Sequence, residues 1–175
     1  VMSGIVDARP KVGYFFTGRS TLGLLTEEIS DITVADIQSM PVVAKNTQSA
    51  YEAIVSMFVE DVGSVYVVDE KNLLTGVVSR KDLLKLAANN SGDLKSVPVV
   101  MAMTPLSKMI MVTPETTVAV AARKVIDNQI DSLPVVKCVD EKQKCYEVLG
   151  RITKTNFTRL FVDIAEGRGV GYHKR

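Results

Sequence analysis

One unit occurs twice in this chain, and that repetition decides what it can fold into. Ala50, Ala53, Ile54, Met57 and Phe58 fall at i, i+3, i+4, i+7 and i+8. That spacing paints one apolar stripe along a helix. Val118, Ala121, Ala122, Val125 and Ile126 repeat it, each 68 residues later. Helix-start residues precede both runs: Ser49 with Glu52 three on, which predicts a capping box, and Thr116–Thr117 in the second copy. GSVYVVD from Gly63 is answered by DSLPVVK from Asp131, again 68 on. Both predict β-branched strands entered from a small polar turn. Then GVVSRKDLL at Gly76 returns as GRITKTNFT at Gly150, an offset of 74. The second copy therefore carries six more residues, placed within VKCVDEKQKCYEV. Its charged middle predicts a longer hairpin loop with strands on either side. A short first strand precedes each helix: PVVA after Met40–Pro41, and IMVT after a Met103–Thr104–Pro105 turn. The helices SRKDLLKLAAN and TKTNFTRLFVDIAE follow the two phrases.

Each copy thus reads β-α-β-β-α. One copy leaves a sheet face bare. Two copies packed sheet to sheet, with helices outside and a pseudo-two-fold axis between them, bury both faces. The expected fold class is α/β, of the α+β kind. A hydrophobic content of 46% supplies the interior and 23% charge the solubility. The 21 basic and 20 acidic residues leave a net charge of +1, so any polyanion must meet a local patch. No apolar run approaches the length of a membrane span, and the start does not read as a signal peptide. The one histidine, His173, lies in GRGVGYHKR, expected to be a mobile tail. With Cys138 and Cys145 as the two cysteines, no metal site and no obligatory cofactor are expected. The cysteine spacing could set both thiols across a hairpin, where reduced thiols are expected. Lacking a histidine base outside the tail, and with Glu60 and Asp61 reading as a solvated turn, the chain is not expected to be an enzyme.

The repeated phrase is G-x-h-[ST]-[KR]-x-[DN], with h an apolar residue. The glycine lets the backbone approach a neighbour closely. Val77–Val78 and Arg151–Ile152 continue a strand, and Ser79 and Thr153 then stand at helix N-caps. A helix N-terminus offers free N–H groups and a positive dipole end, which suit a phosphate. Asp82 and Asn156 follow three residues on. Asp82 can accept two ribose hydroxyls as a fork; Asn156 lacks the charge and its amide also donates. Arg80, Lys81, Arg151 and Lys154 can screen phosphate charge. For one copy a capping box explains Ser79 and Asp82 equally well; two copies, each after a glycine and a strand and beside basic residues, tilt toward a nucleotide site, with the Asp82 side first.

On these residues the chain resembles a tandem pair of CBS domains, modules that bind adenosyl ligands. The strands GSVYVVD and DSLPVVK and the two phrases carry the likeness, over roughly residues 36 to 165. The resemblance implies two clefts between the sheets, with the hydroxyl residue on phosphate and the acid on ribose. Carried over, it places Ser79 with Asp82 in one cleft and Thr153 with Asn156 in the other. It puts an apolar adenine slot at Val43, Val65, Tyr66 and Val78 in the first copy and at Leu133, Pro134 and Ile152 in the second. Ser64, Asp131 and Ser132, at the strand entries, complete the candidate set. Asn156 departs from the family's acid.

The N-terminal stretch extends the resemblance. Val12, Tyr14 and Phe16 in ARPKVGYFF alternate as a hairpin strand does. This is similar to the wing of a winged helix-turn-helix, and wing, linker and CBS pair together resemble the bacterial catabolite-control repressors of gluconeogenic genes. That family implies an N-terminal domain on operator DNA, regulation by ATP or ADP (AMP is possible), a homodimer, a cytoplasmic location and no membrane partner. The boundaries expected are a wing remnant at 1–18, a linker helix at 19–35, CBS domains at 36–95 and 96–165, and a tail at 166–175. Leu22, Leu25, Ile29 and Ile32 give the linker one apolar stripe, facing either its own sensor or a second copy. GYFFTGRS nearly spells a P-loop, but its flank VDARPKV is polar and broken by proline, and Phe15 and Phe16 would crowd a phosphate. The other reading of the whole is a dimerisation module with vestigial ligand sites.

Overall fold

The computed structural model describes residues 29–89 and 93–167. The expected wing, the P-loop-like run, most of the linker and all but the first two residues of the tail lie outside them. The chain divides into two units, residues 1–31 and 32–175. Of the first, residues 29 and 30 are helical and the helix ends at Asp31. The linker helix therefore does not run on to residue 35 as expected. Thr33 instead caps a new short helix, α1 (Val34–Ile37): its N–H and hydroxyl both reach Asp36 Oδ2, at 2.9 and 3.0 Å.

The second unit has the two-copy order. Copy one runs β1 (Val43–Lys45), α2 (Ala50–Val59), β2 (Ser64–Val68), β3 (Leu74–Ser79) and α3 (Arg80–Asn89). Copy two runs α4 (Val118–Asp127), β5 (Ser132–Asp140), β6 (Cys145–Thr153) and α5 (Lys154–Ala165). Between them lies β4 (Thr104–Pro105), where a turn was expected; it pairs antiparallel with β3. The first sheet has order β1-β2-β3-β4, with β1 parallel to β2; β5 and β6 form the second. The expected first strand of copy two shrinks to one parallel bridge, Val112 to Val135. The six extra residues lengthen the strands, not the loop. The β5–β6 ladder continues through Lys137–Glu147 and Cys138–Tyr146 to Asp140–Cys145. Both thiols are free.

Each copy has its own core on the helix side of its sheet. Ala50, Ala53 and Met57 pack with Val65, Val67, Val78 and Leu83 in one. Ala121 and Val125 pack with Leu133, Val135 and Ile152 in the other. The helix stripes are narrower than their spacing suggested. The i, i+3 and i+7 positions are buried, while Phe58 and Ile126 at i+8 are 86% and 68% exposed. Small residues at the buried positions, Ala50 and Ala53 in α2 and Ala121 in α4, let each helix lie close on its sheet, which leaves the i+8 side chain at the flank. A third cluster, Tyr66, Leu74 and Val136, fills the space between the sheets. There Ser64 Oγ and Ser132 Oγ, equivalent positions of the two copies, meet at 3.0 Å. Equivalent atoms in contact mark the pseudo-two-fold axis.

Candidate functional site

Each repeated phrase is crossed by a segment of chain that precedes one of the copies. Over β6 runs a strap of residues 37–40. Ser39 N–H donates to Arg151 O and Arg151 N–H to Ser39 O, both at 2.9 Å, and Arg151 Nε donates to Met40 O at 3.1 Å. Over β3 runs the segment 103–105, with Thr104 opposite Val77 and Pro105 opposite Gly76. The glycines make both crossings possible. A Cβ on Gly76 would lie 2.7 Å from Thr104 O. A Cβ on Gly150 would collide with Gln38 Oε1 and lie 3.2 Å from Ser39 O.

Beyond each glycine the capping box forms in full. Ser79 N–H and Oγ–H donate to Asp82 Oδ2 at 2.9 and 2.6 Å, and Asp82 N–H returns to Ser79 Oγ at 3.3 Å. Thr153 and Asn156 repeat this, with Asn156 Oδ1 accepting twice at 2.8 Å. The first amide of each helix is also engaged: Arg80 N–H donates to Gly63 O and Lys154 N–H to Asp131 O. The helix N-termini are thus largely satisfied from within, and offer a phosphate less than their sequence promised.

The two boxes differ in their remaining side-chain atom. Asp82 Oδ1 accepts no hydrogen bond among the described residues, and the residue is partly exposed. Asn156 is 8% exposed and fully committed. Its Nδ2 donates to Ile37 O at 2.8 Å and to Ser39 Oγ at 2.9 Å.

Several expected site residues stand elsewhere. Val65, Val78, Leu133 and Ile152 are fully buried in the helix-side cores, where their side chains pack under the helices. Alternation along a strand sends them to that face, opposite Tyr66 and Pro134. Val43 is half exposed beside Tyr66 on β1, and Pro134 is buried opposite Arg151. Arg80 turns to the α2–β2 loop: Nε donates to Val62 O at 3.2 Å, and the guanidinium lies 3.8 Å from Asp61. Lys154 and Asp131 pair with each other at 2.6 Å on the surface, an attachment worth at most about 1 kcal/mol. Lys81 is exposed.

Tyr66 joins the copies. It is fully buried between the sheets, and its Oη makes no hydrogen bond of ordinary geometry among the described residues. Burial pushes its hydroxyl up to about 12; the nearby Ser132 hydroxyl and Arg151 charge oppose that shift without cancelling it. The residues sequence reasoning missed are Ile37, Gln38, Ser39, Met103 and Thr104. Their signal was the proline that closes each strap, Pro41 and Pro105.

This architecture is that of a pair of small α/β modules, and the chain belongs to the CBS domain family, which matches residues 30–89 and 94–163. It is a tandem CBS pair. Its likeness to one characterised protein runs the length of the chain: it is 46% identical over 165 residues to the transcriptional repressor CcpN of Bacillus subtilis (strain 168), covering 94% of this chain and 76% of that one. The mitochondrial CBS domain-containing protein CBSX3 of Arabidopsis thaliana is 36% identical over 91 residues, covering 51% of this chain and 44% of that protein. Among solved structures, CBSX2 in complex with AMP matches at TM-score 0.60 and 29% identity, covering 77% of this chain and 98% of that one. The CBS pair of protein MJ0100, in complex with 5′-methylthioadenosine and S-adenosyl-L-methionine, matches at TM-score 0.60 and 26% identity, covering 74% and 98%. The chain is a CcpN-like CBS module. No helix among the described residues is long and apolar enough to cross a membrane.

Proposed function

We propose that this chain is the adenine-nucleotide-sensing part of a bacterial transcriptional repressor, binding ATP or ADP, with AMP as a weaker candidate. One observation supports the reading: next to the Gly76 crossing, Asp82 keeps a carboxylate oxygen, Oδ1, that accepts no hydrogen bond among the described residues. Two ribose hydroxyls are its natural donors. Ser79 is hydrogen-bonded to Asp82, the resemblance adds Lys81 and Val43, and Ser64, Ser132, Tyr66 and Arg151 supply polar groups at the axis. The adenosyl ligands of CBSX2 and MJ0100 support the ligand class, and the likeness to CcpN supports the regulatory setting. In that setting operator DNA meets an N-terminal winged helix, the molecule works in the cytoplasm, and ligand shifts a dimer between two states. Exposed apolar side chains support self-association: Phe58, Leu84 and Phe161 on the outer helices are 86%, 72% and 72% exposed. An apolar groove between α2 and α3, lined by Ile54, Met57, Phe58, Leu83, Leu84 and Ala87, continues that face.

Calorimetric titration with ATP, ADP, AMP and S-adenosylmethionine tests the reading on wild type, Asp82→Ala and Asp82→Asn. Asp82→Asn keeps the cap, as Asn156 does, and removes the charge. Loss of charge-assisted hydrogen bonds to ribose is worth about 1.5–3 kcal/mol, roughly 10- to 150-fold in affinity. Silence with all four ligands would leave the second reading, a dimerisation module. The closed capping boxes favour that alternative.

A further inference from the structure

We propose that Asn156 reserves the second cleft for the chain itself, so that each chain takes one nucleotide, at Asp82, while residues 37–40 are latched where a second would sit. This rests on the nucleotide-sensing reading above and specifies which of its two clefts is open. The argument is one of hydrogen-bond capacity. An asparagine side chain has one acceptor oxygen and one donor nitrogen. Here the oxygen takes the Thr153 N–H and hydroxyl, and the nitrogen serves Ile37 O and Ser39 Oγ. The partners fix which end is which: a flipped amide would set donor against donor at Thr153 N–H and acceptor against acceptor at Ile37 O. Nothing remains for a ribose. An aspartate would lose both strap contacts and set a charge against Ile37 O in a nearly closed site. The residue type that ends ligand capacity is therefore the one the strap requires.

The backbone supports the same asymmetry. The strap exchanges two backbone hydrogen bonds with Arg151 and accepts a third from its side chain. The matching segment over β3 places Pro105, which has no N–H, opposite Gly76, and Asp82 has no donor to hold it. In sequence the latched strap joins α1 to β1, so the second copy grips the chain just before the first copy begins. Asn156 thus sets both how many ligands bind and how firmly that junction is held.

The test has a binding arm and an exchange arm. Titration of the full chain with ADP should give one site per chain. Asn156→Ala should keep that stoichiometry, with an affinity within about threefold of wild type. Hydrogen exchange at the Ser39 and Arg151 amides should quicken in Asn156→Ala by about tenfold, the effect of losing two modest hydrogen bonds. Ser39→Ala, which removes one acceptor and leaves Asn156 in place, should give a smaller increase and covers the case in which Asn156→Ala does not fold. Two ADP per wild-type chain, or a tenfold affinity loss in Asn156→Ala, would overturn the proposal. So would unchanged exchange in both variants. Absence of any ADP binding would refute the nucleotide reading itself, and the exchange arm would then decide the latch alone.

Discussion

Tyr66→Phe should make this protein more stable. The substitution removes one oxygen atom and leaves the ring in place. That oxygen is fully buried between the sheets, without a hydrogen bond of ordinary geometry among the described residues. A buried polar group left unpaired costs about 1–3 kcal/mol, whereas a typical satisfied bond contributes about 1 kcal/mol net. Deleting the hydroxyl recovers most of the former and leaves a void smaller than a methyl group. A gain of about 1 kcal/mol is expected, which for a domain of this size is about 2–4 °C in melting temperature. Thermal unfolding followed by circular dichroism measures it. A loss of 1 kcal/mol or more would refute the reasoning and show that Oη is satisfied in solution.

The same hydroxyl gives the argument a second, independent reading. Its ionisation is pushed up to about 12 by burial, from an ordinary value of 10.0. Between those values the unfolded chain has lost a proton that the folded chain retains. The stabilisation is therefore fully present below about pH 10 and falls as pH rises towards 12. Two pH units correspond to about 3 kcal/mol at most. Wild type should thus lose more stability over this range than Tyr66→Phe, with the two melting curves diverging as pH rises. Parallel curves would show that Tyr66 ionises without cost.

The two crossing glycines should respond unequally. Gly76→Ala sets a Cβ against the backbone oxygen of Thr104 at 2.7 Å and should cost about 1–3 kcal/mol in denaturant unfolding. Gly150→Ala mainly displaces the end of Gln38, a flexible side chain, and should cost less; a larger cost than Gly76→Ala would contradict this. At α2, Ser49→Ala removes a cap in which the Ser49 hydroxyl accepts from Glu52 N–H, and should cost about 1 kcal/mol at neutral pH. Hydrogen bonds from the Ser49 N–H and hydroxyl hold the Glu52 carboxyl below its usual value of 4.5. That stabilisation is present above about 4.5 and is lost as pH falls through the lowered value. Melting of wild type and Ser49→Ala should therefore converge in acid, and a constant gap would argue against the box.

Much of the fold was legible because the repeat tests itself. A helix stripe, a strand and a phrase recurring in the same order leave few architectures, and α2, α4 and both hairpins stand where the spacing put them. Periodicity could not tell which apolar positions of a helix meet the sheet. Phe58 and Ile126 fit the stripe and are exposed, because contact depends on how closely the alanines let the helix lie. Nor could it separate the two faces of a strand buried on both sides. Val65 and Tyr66 are adjacent and equally buried, yet one packs under the helices and the other between the sheets. The strap was hidden for a different reason. Its contacts join Ile37 and Ser39 to Asn156, more than a hundred residues away, and no local pattern records such a pairing.

The double phrase can now be explained without invoking a ligand for every letter. Glycine is needed because a strand passes within 2.7 Å of where a Cβ would sit at Gly76, and at Gly150 the Gln38 side chain would collide with one and Ser39 O lie 3.2 Å from it. The hydroxyl residue and the Asp or Asn three on are needed because they close a capping box on the next helix. Both requirements are structural, and both are met in both copies. What the structure leaves over is a single carboxylate oxygen at Asp82, and at Asn156 nothing. If a nucleotide binds, recognition has been built on the one atom that the fold did not use. Asp82→Asn should then weaken binding roughly 10- to 150-fold while leaving the helix cap and the melting temperature nearly unchanged, a separation that a purely structural motif could not show.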